Sequence, residues 1–203
     1  MASSTRKQRK RDQSSQEILV AARALFLRDG HAKFSMRKLA KELGCVPGTI
    51  YLYFKDKDAL IAQLVEESFE HLMDDLEASQ TGKDPLKDLE HMMGAYVTFG
   101  LEHPNDYRFA FMLHRTKGLE RERPRPHRSY AMLRRLVGAC IEGGLFRPVE
   151  LEIATQGVWS GIHGVTSLMI TMPNFPWGDK QAVVDHTIHS IIAGLRLDSR
   201  LGE

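Results

Sequence analysis

Apolar residues recur every three or four positions along most of the chain, which is the spacing of an amphipathic α-helix. The first such segment carries Ile18, Ala22 and Leu25 on one stripe. Gly30 follows it, and glycine commonly ends a helix. Segments that contain Gly or Pro separate the periodic stretches. The pattern predicts an all-α protein with helices over residues 14–29, 35–43, 47–54, 58–79, 85–102, 104–115, 126–143, 150–172 and 178–197.

Residues 49–54, Thr-Ile-Tyr-Leu-Tyr-Phe, are β-branched and aromatic residues that by themselves favour a strand. Pro47 instead favours the first turn of a helix, where its missing N–H removes no hydrogen bond. In a helix Ile50 and Phe54 share one face, whereas a strand here would have no partner strand among flanking helices. Together with the preceding helix, which Ser35 can cap, the run predicts a helix-turn-helix.

Positive charge is concentrated in the first third of the chain. Residues 1–60 contain 13 Lys and Arg against 6 Asp and Glu, whereas residues 61–203 contain 15 against 20. This asymmetry is typical of a polyanion-binding module joined to a separate body, and random scatter of surface charge is the alternative. We therefore predict a DNA-binding unit over residues 14–60 and a helical body over residues 61–203.

Residues 1–13 are predicted to be a basic flexible tail. Five of the six positions 6–11 are cationic and none is apolar, so nothing anchors the segment to a core. Mobile basic arms commonly order along DNA phosphates or in a minor groove. The alternatives are a solubility tail and a remnant of expression.

Other classes of function lack their usual signatures. No stretch approaches the ~18–20 apolar residues of a membrane span, and the basic N-terminus has no apolar signal core. Cys45 and Cys140 form no Cys-x-x-Cys pair, so a cytoplasmic protein without disulfides is expected. His186 and His189 have helical spacing, but no carboxylate or cysteine completes a metal site. P-loop, dinucleotide, GxSxG and HExxH fingerprints are absent, so we expect no enzyme, no metal and no cofactor.

Residues 47–57 have the composition of a recognition helix in the major groove, with small and aromatic side chains first and cations after them. Gly48 allows close backbone approach, and Thr49 can contact a base edge or a phosphate. Ser35 and Arg37 begin the preceding helix, where phosphate contacts are expected. The predicted DNA contacts are Ser35, Arg37, Pro47, Gly48, Thr49, Tyr51, Tyr53, Lys55 and Lys57.

The segments ILVAARALFLRDG, FSMRKLAKELG and PGTIYLYFKDKDAL, between residues 18 and 60, resemble the TetR family of transcriptional regulators. The resemblance implies a homodimer whose N-terminal three-helix domain binds a palindromic operator. It also implies that residues 61–203 are an effector-binding and dimerisation domain. Two positions depart from the family pattern. Val46 stands where a serine usually caps the recognition helix and touches phosphate, and Cys45 replaces a small aliphatic residue. Pro47 partly compensates by preorganising the first turn.

Residues 159–164, Trp-Ser-Gly-Ile-His-Gly, resemble a Trp…His-Gly motif in the C-terminal domain of one TetR subgroup. On a helix the glycines lie on one side, and Trp159 and His163 lie on the other. The smooth side favours close helix approach, at a dimer interface or within the chain. The predicted pocket residues are Met93, Tyr96, Phe111, Met112, Met132, Trp159 and His163, for each of which an ordinary core position is the alternative.

The last helix has an apolar stripe that could form, with residues 150–172, half of a four-helix dimer bundle, or could pack only within its own chain. The predicted dimer contacts are Gly157, Gly161, Gly164, Leu168, Val184, Ile188, Ile191, Ile192 and Leu195.

These observations favour a ligand-responsive repressor in the bacterial cytoplasm that lies on the nucleoid when bound to DNA. Its expected partners are a double-stranded DNA operator, a small apolar or amphipathic effector and a second copy of the chain, with no membrane. In this hypothesis helix 58–79 couples the effector to the DNA-binding domain. The alternatives are a helical adaptor without sequence-specific DNA binding, which Val46 favours, and a small enzyme that uses His163.

Overall fold

The computed structural model describes residues 2–112 and 128–197, and within these ranges the chain is helical with no β-strand. The helices are α1 (Ala2–Lys33), α2 (Met36–Glu42), α3 (Pro47–Tyr51), α4 (Lys57–Ala78), α5 (Pro85–Glu102), α6 (Pro104–Tyr107), α7 (Arg128–Glu142), α8 (Leu151–Thr171) and α9 (Lys180–Leu195). A π-helical segment, Arg108–Met112, follows α6. The predicted all-α fold is confirmed.

Residues 113–115 and 126–127 of two predicted helices lie outside the described residues. Across the ranges that are described, no helix combines the length and the apolar character that crossing a membrane requires.

Helix α1 begins at Ala2, so residues 2–13, which we predict to be a flexible tail, form its first part. These residues contain neither Gly nor Pro, and nothing in them interrupts a helix. Gly30 has a non-helical backbone with φ 74° and ψ 169°, a conformation that is essentially restricted to glycine. At the predicted end of the first helix, α1 therefore kinks at Gly30 and continues to Lys33.

The chain divides into two compact units, and the described part of the first unit is residues 2–67. Its core contains the fully buried side chains of Leu25, Leu39, Ile50, Leu60 and Leu64. The first unit ends within α4 at Glu67, whereas the predicted DNA-binding unit ends at residue 60.

Contacts between α1 and the start of α4 explain this later boundary. The side-chain amide of Gln16 donates to Glu67 at 3.1 Å, and the guanidinium of Arg23 donates to the same carboxylate at 3.4 Å. The first part of α4 therefore belongs to the first unit, and the remainder of this helix belongs to the second.

The second unit comprises residues 68–112 and 128–197 of the described chain. Helix α5 packs against α7, α8 and α9, and α8 packs against α7 and α9. The core between them includes the fully buried side chains of Leu89, Met93, Phe99, Val137 and Cys140. Burial of this apolar surface is the main stabilising contribution to the unit.

A buried carboxylate fixes the loop before α5. Asp88 is 4% exposed and accepts hydrogen bonds from the Thr81 N–H at 2.8 Å, the Thr81 hydroxyl at 2.7 Å and the Gly82 N–H at 2.8 Å. These bonds lower the pKa of Asp88, because they stabilise its charged form. Gly82 has φ 70°, which suits this tight turn.

Candidate DNA-binding surface and buried polar cluster

Helices α2 and α3 form the predicted helix-turn-helix, and its ends follow from local chemistry. The Ser35 hydroxyl oxygen accepts a hydrogen bond from the Lys38 N–H at 3.2 Å and caps α2. Gly44 follows α2 with φ 64°, the left-handed conformation that commonly ends a helix. Val46 occupies the N-cap of α3 and makes no capping side-chain hydrogen bond, and Pro47 is the first helical residue. Pro47 therefore preorganises α3 in place of a cap.

Helix α3 ends at Tyr51 and not at Phe54 as predicted. The Phe54 N–H still bonds to the Ile50 carbonyl at 3.0 Å. Asp56 then caps α4 by accepting a hydrogen bond from the Ala59 N–H at 2.8 Å. Because a capping residue needs a non-helical backbone, α3 does not continue through Asp56 into α4. Ile50 is fully buried and Phe54 is 7% exposed, so the predicted anchor of α3 is confirmed.

Most of the predicted DNA contacts lie on the surface of the first unit. The exposed or half-buried residues of this group are Ser35, Arg37, Pro47, Gly48, Thr49, Tyr51, Tyr53 and Lys55. Tyr51 is 51% exposed. The neighbouring Leu52, which we do not predict as a DNA contact from the sequence, is 72% exposed. The signal for Leu52 is its position midway between Ile50 and Phe54, which places it away from their buried face.

Lys57 bonds to Phe34, the residue before Ser35. Its Nζ donates a hydrogen bond to the Phe34 carbonyl at 3.2 Å and lies 5.6 Å from the centre of the Phe34 ring. Desolvation lowers the pKa of this half-buried ammonium group. Lys57, which we predict as a phosphate contact, therefore makes a contact within the first unit.

Two of the predicted cations are not neutralised by neighbouring acids. Lys38, which follows Arg37 on α2, forms an ion pair with Asp29 at 2.7 Å. Arg37 and Lys55 are exposed, and neither has an acidic partner among the side chains that the structure describes. Arg37 and Lys55 are thus the cations of this surface that are available to a polyanion.

A cluster of three polar side chains lies inside the second unit, where Tyr96 of α5, Tyr107 of α6 and His163 of α8 meet. The Tyr107 hydroxyl lies 2.6 Å from His163 Nδ1, and the Tyr96 hydroxyl lies 3.1 Å from the same nitrogen. The two hydroxyl oxygens are 3.1 Å apart. His163 is therefore hydrogen-bonded internally, as one of the two sequence interpretations expected, and Tyr107 is a member that sequence analysis missed.

Burial keeps this cluster uncharged near neutral pH. Desolvation lowers the pKa of His163, raises the pKa of Tyr96 to about 12 and raises the pKa of Tyr107 further. A neutral imidazole has one ring nitrogen that accepts and one that donates. Nδ1 therefore accepts from a tyrosine hydroxyl in one tautomer and donates to one in the other.

Aromatic rings surround the polar groups. The centre of the Phe111 ring lies 4.9 Å from that of Tyr107 and 5.6 Å from that of His163. Trp159 lies 6.0 Å from His163 and remains 38% exposed. Three of the predicted pocket residues, Tyr96, Phe111 and Trp159, therefore meet around a fourth, His163, at a site whose centre is polar and whose walls are aromatic. The other three, Met93, Met112 and Met132, pack within or against the apolar core.

Gly100 allows α5 to approach this cluster closely. A Cβ atom at Gly100 would lie 2.3 Å from Thr166 Cγ2 and 2.9 Å from Tyr107 Cδ2. Any larger residue would require Thr166 or Tyr107 to shift. The sequence alone does not predict this close approach, because a glycine near the end of a helix has several ordinary explanations.

The apolar stripe of α9 packs within its own chain. Val184 and Ile192 are 4% and 2% exposed and belong to the core of the second unit, so their prediction as dimer contacts is corrected. A Cβ atom at Gly161 would lie 2.6 Å from Ile191 Cδ1, which shows that this glycine serves the packing of α8 on α9. The remaining predicted α9 residues are partly buried against the same core: Ile188, Ile191 and Leu195.

One face of α8 stays at the surface. Added Cβ atoms at Gly157 and Gly164 would meet nothing within 4 Å, and Leu168 is 47% exposed. Ile153 and Met172, which we do not predict from the sequence, extend this face with 66% and 47% exposure. Three of the predicted dimer contacts are thus accessible to a second copy: Gly157, Gly164 and Leu168.

Two family models match the chain. The model described as bacterial regulatory proteins, tetR family, matches residues 18–64, and the model described as tetracyclin repressor-like, C-terminal domain, matches residues 89–191. The first match covers the helix-turn-helix, and the second covers about half of the chain, from α5 into α9.

Curated relatives match over part of their length. An uncharacterized HTH-type transcriptional regulator of Haemophilus influenzae is 45% identical over 88 residues, which are 43% of this chain and 47% of that protein. The fatty acid metabolism regulator protein of Bacillus subtilis is 32% identical over 74 residues, which are 34% of this chain and 38% of that protein. The chain therefore spans less than half of the length of each relative.

Solved structures match over most of the chain. A bacterial regulatory protein in the tetR family from Rhodococcus RHA1 superposes with a TM-score of 0.69 at 21% identity, over 91% of this chain and 98% of that one. At this identity the likeness shows the shared fold.

Proposed function

This chain belongs to the TetR family of bacterial transcriptional regulators, and from that premise we propose that it is a ligand-responsive repressor. In this proposal a homodimer binds a palindromic operator in the bacterial cytoplasm, and a small amphipathic molecule releases it. The observation that carries the proposal is the surface of α3, where exposed side chains stand on the buried Ile50 and Phe54 anchor.

In this proposal four side chains make different kinds of contact with DNA: Thr49, Tyr51, Leu52 and Lys55. The threonine and leucine offer apolar contact to thymine methyl groups, and Thr49 also offers a hydroxyl to a base edge. The tyrosine hydroxyl and the ammonium group bind phosphates, which position the helix without reading sequence. Arg37 on α2 adds a second cationic contact.

The effector site in this proposal is the cluster of Tyr96, Tyr107 and His163. Buried polar groups nearly always have hydrogen-bond partners. A ligand that breaks hydrogen bonds within this cluster must therefore replace them with bonds to its own polar end. Phe111 lies in the π-helical segment Arg108–Met112, and π-helical turns are frequent at functional sites. We infer that an apolar ligand body displaces Phe111 while its polar end bonds to His163.

The dimer in this proposal forms through the exposed face of α8. Gly157 and Gly164 permit close approach of a second helix, and the flanking Ile153, Leu168 and Met172 provide apolar area. Leu168→Glu is expected to shift the protein from dimer to monomer in light scattering. The exposed Lys83→Glu is the control, and a dimer that survives Leu168→Glu contradicts this surface.

DNA binding is tested by fluorescence anisotropy with the upstream DNA of the gene and with scrambled DNA of equal length. Thr49→Ala is expected to reduce the preference for the upstream DNA. Lys55→Ala is expected to weaken binding to both DNAs and to reduce the salt slope by about one. Lys83→Ala, a lysine of the second unit, is the matched control.

Effector release is tested by adding alkanoic acids and phenols to the preformed complex. A molecule that releases wild-type protein is expected to release Tyr107→Phe at higher concentration. Equal affinity for upstream and scrambled DNA at physiological salt contradicts an operator. No binding to either DNA supports a helical adaptor, which the uncapped Val46 favours.

A further inference from the structure

Three potential metal ligands meet in the second unit, outside the polar cluster. His71 lies on α4, His103 lies between α5 and α6, and Asp106 lies on α6. Each offers one ligand atom, and these three atoms lie within 4.8 Å of one another. His71 Nδ1 is 3.0 Å from Asp106 Oδ2, and the ring centres of the two histidines are 4.4 Å apart.

The ligand set and its spacing suit a transition metal ion. Two imidazoles and one carboxylate are a common donor set for zinc and similar ions, whereas magnesium and calcium prefer oxygen alone. Ligands about 2.0–2.2 Å from an ion in tetrahedral geometry lie about 3.3 Å apart. His71 Nδ1 and Asp106 Oδ2, which are 3.0 Å apart, already approximate this spacing, and the ligand atoms of all three residues lie within 4.8 Å of one another.

Neighbouring side chains hold the three ligands in place. The Ser68 hydroxyl donates to Asp106 Oδ1 at 3.4 Å, so it orients the carboxylate while Oδ2 faces His71. The Phe99 ring contacts both imidazoles, with ring centres 5.4 Å from His71 and 5.6 Å from His103. Outer contacts of this kind raise metal affinity because they fix the orientation of the ligands.

We propose that His71, His103 and Asp106 bind one Zn²⁺ or a similar late first-row divalent ion, with water in the remaining coordination position. This site goes beyond the proposed function and does not depend on it. It differs from the expectation of no metal site, which rested on spacing along single helices. The bound ion connects α4 to the junction of α5 and α6, next to Tyr107 of the polar cluster.

The test uses the full chain without an affinity tag, in competition for Zn²⁺ with a chromophoric chelator. Wild-type protein is expected to bind one ion per chain. His71→Ala and His103→Ala are each expected to weaken binding at least tenfold, by analogy with the loss of metal contacts elsewhere. Co²⁺ substitution gives a second readout, since its visible absorption reports coordination by nitrogen and oxygen ligands.

The control is the double variant His186→Ala, His189→Ala, which removes two exposed histidines of α9 and should leave zinc affinity unchanged. Circular dichroism checks that each variant is folded, and Asp106→Asn provides a variant of nearly equal size. The proposal is overturned if wild-type protein binds no zinc, or if the α9 double variant loses binding while His71→Ala and Asp106→Asn retain it.

Discussion

Gly100→Ala is expected to destabilise the second unit, whereas Gly94→Ala on the same helix is expected to stabilise it. An alanine Cβ at residue 100 would lie 2.3 Å from Thr166 Cγ2, but at residue 94 it would meet nothing within 4 Å. Thr166 cannot turn away easily, because its hydroxyl donates to the Ile162 carbonyl at 2.6 Å. The two variants share one chemical change and differ only in their surroundings.

The magnitude follows from two opposing effects. Alanine stabilises a helix interior by about 1 kcal/mol relative to glycine. Overpacking a core costs about 1–3 kcal/mol, and the upper end applies at Gly100 because Thr166 and Tyr107 are both fully buried. Gly100→Ala should therefore lose about 2 kcal/mol and Gly94→Ala should gain about 1 kcal/mol.

Urea and thermal unfolding, followed by tryptophan fluorescence, measure this difference, because Trp159 and Trp177 both lie in the second unit. A gap of about 3 kcal/mol corresponds to a difference of roughly 10 °C in melting temperature. Equal stability of the two variants would refute the close approach of α5 to Thr166.

Further predictions concern pH and charge. Because burial lowers the pKa of His163, the unfolded state binds more protons below about pH 6.5, and stability falls as the pH falls through that range. His163→Gln should flatten this dependence in thermal melts, and an unchanged slope would contradict it. The lowered pKa of Asp88 gives stability above about pH 4 that is lost at lower pH. Asp88→Asn should lower the melting temperature at pH 7 and approach wild type near pH 3, whereas a constant difference would count against the hydrogen-bonded carboxylate. Lys57→Met should lower stability and leave the salt slope of DNA binding unchanged, in contrast to Lys55→Ala. A reduced slope in Lys57→Met would restore it as a phosphate contact.

Features with a local cause could be predicted from the sequence. Helices α5 and α8 begin and end within a residue of their predicted positions, because apolar spacing, caps and breaking residues act over a few positions. The helix-turn-helix was predictable for the same reason, since Pro47 and the Ile50 and Phe54 pair outweigh the strand preference of their neighbours. The first part of α1 was not predicted, because a polar segment without Gly or Pro is compatible with either a tail or a helix.

The candidate sites depended more on tertiary structure. The sequence alone indicated the α3 surface and singled out Tyr96 and His163. Folding decided that Lys57 turns to the Phe34 carbonyl and that Tyr107 meets His163. It also brought His71 to His103 and Asp106, which lie on separate elements. Helical period shows which residues share one face, but contact between faces of different helices depends on packing, which no local pattern encodes.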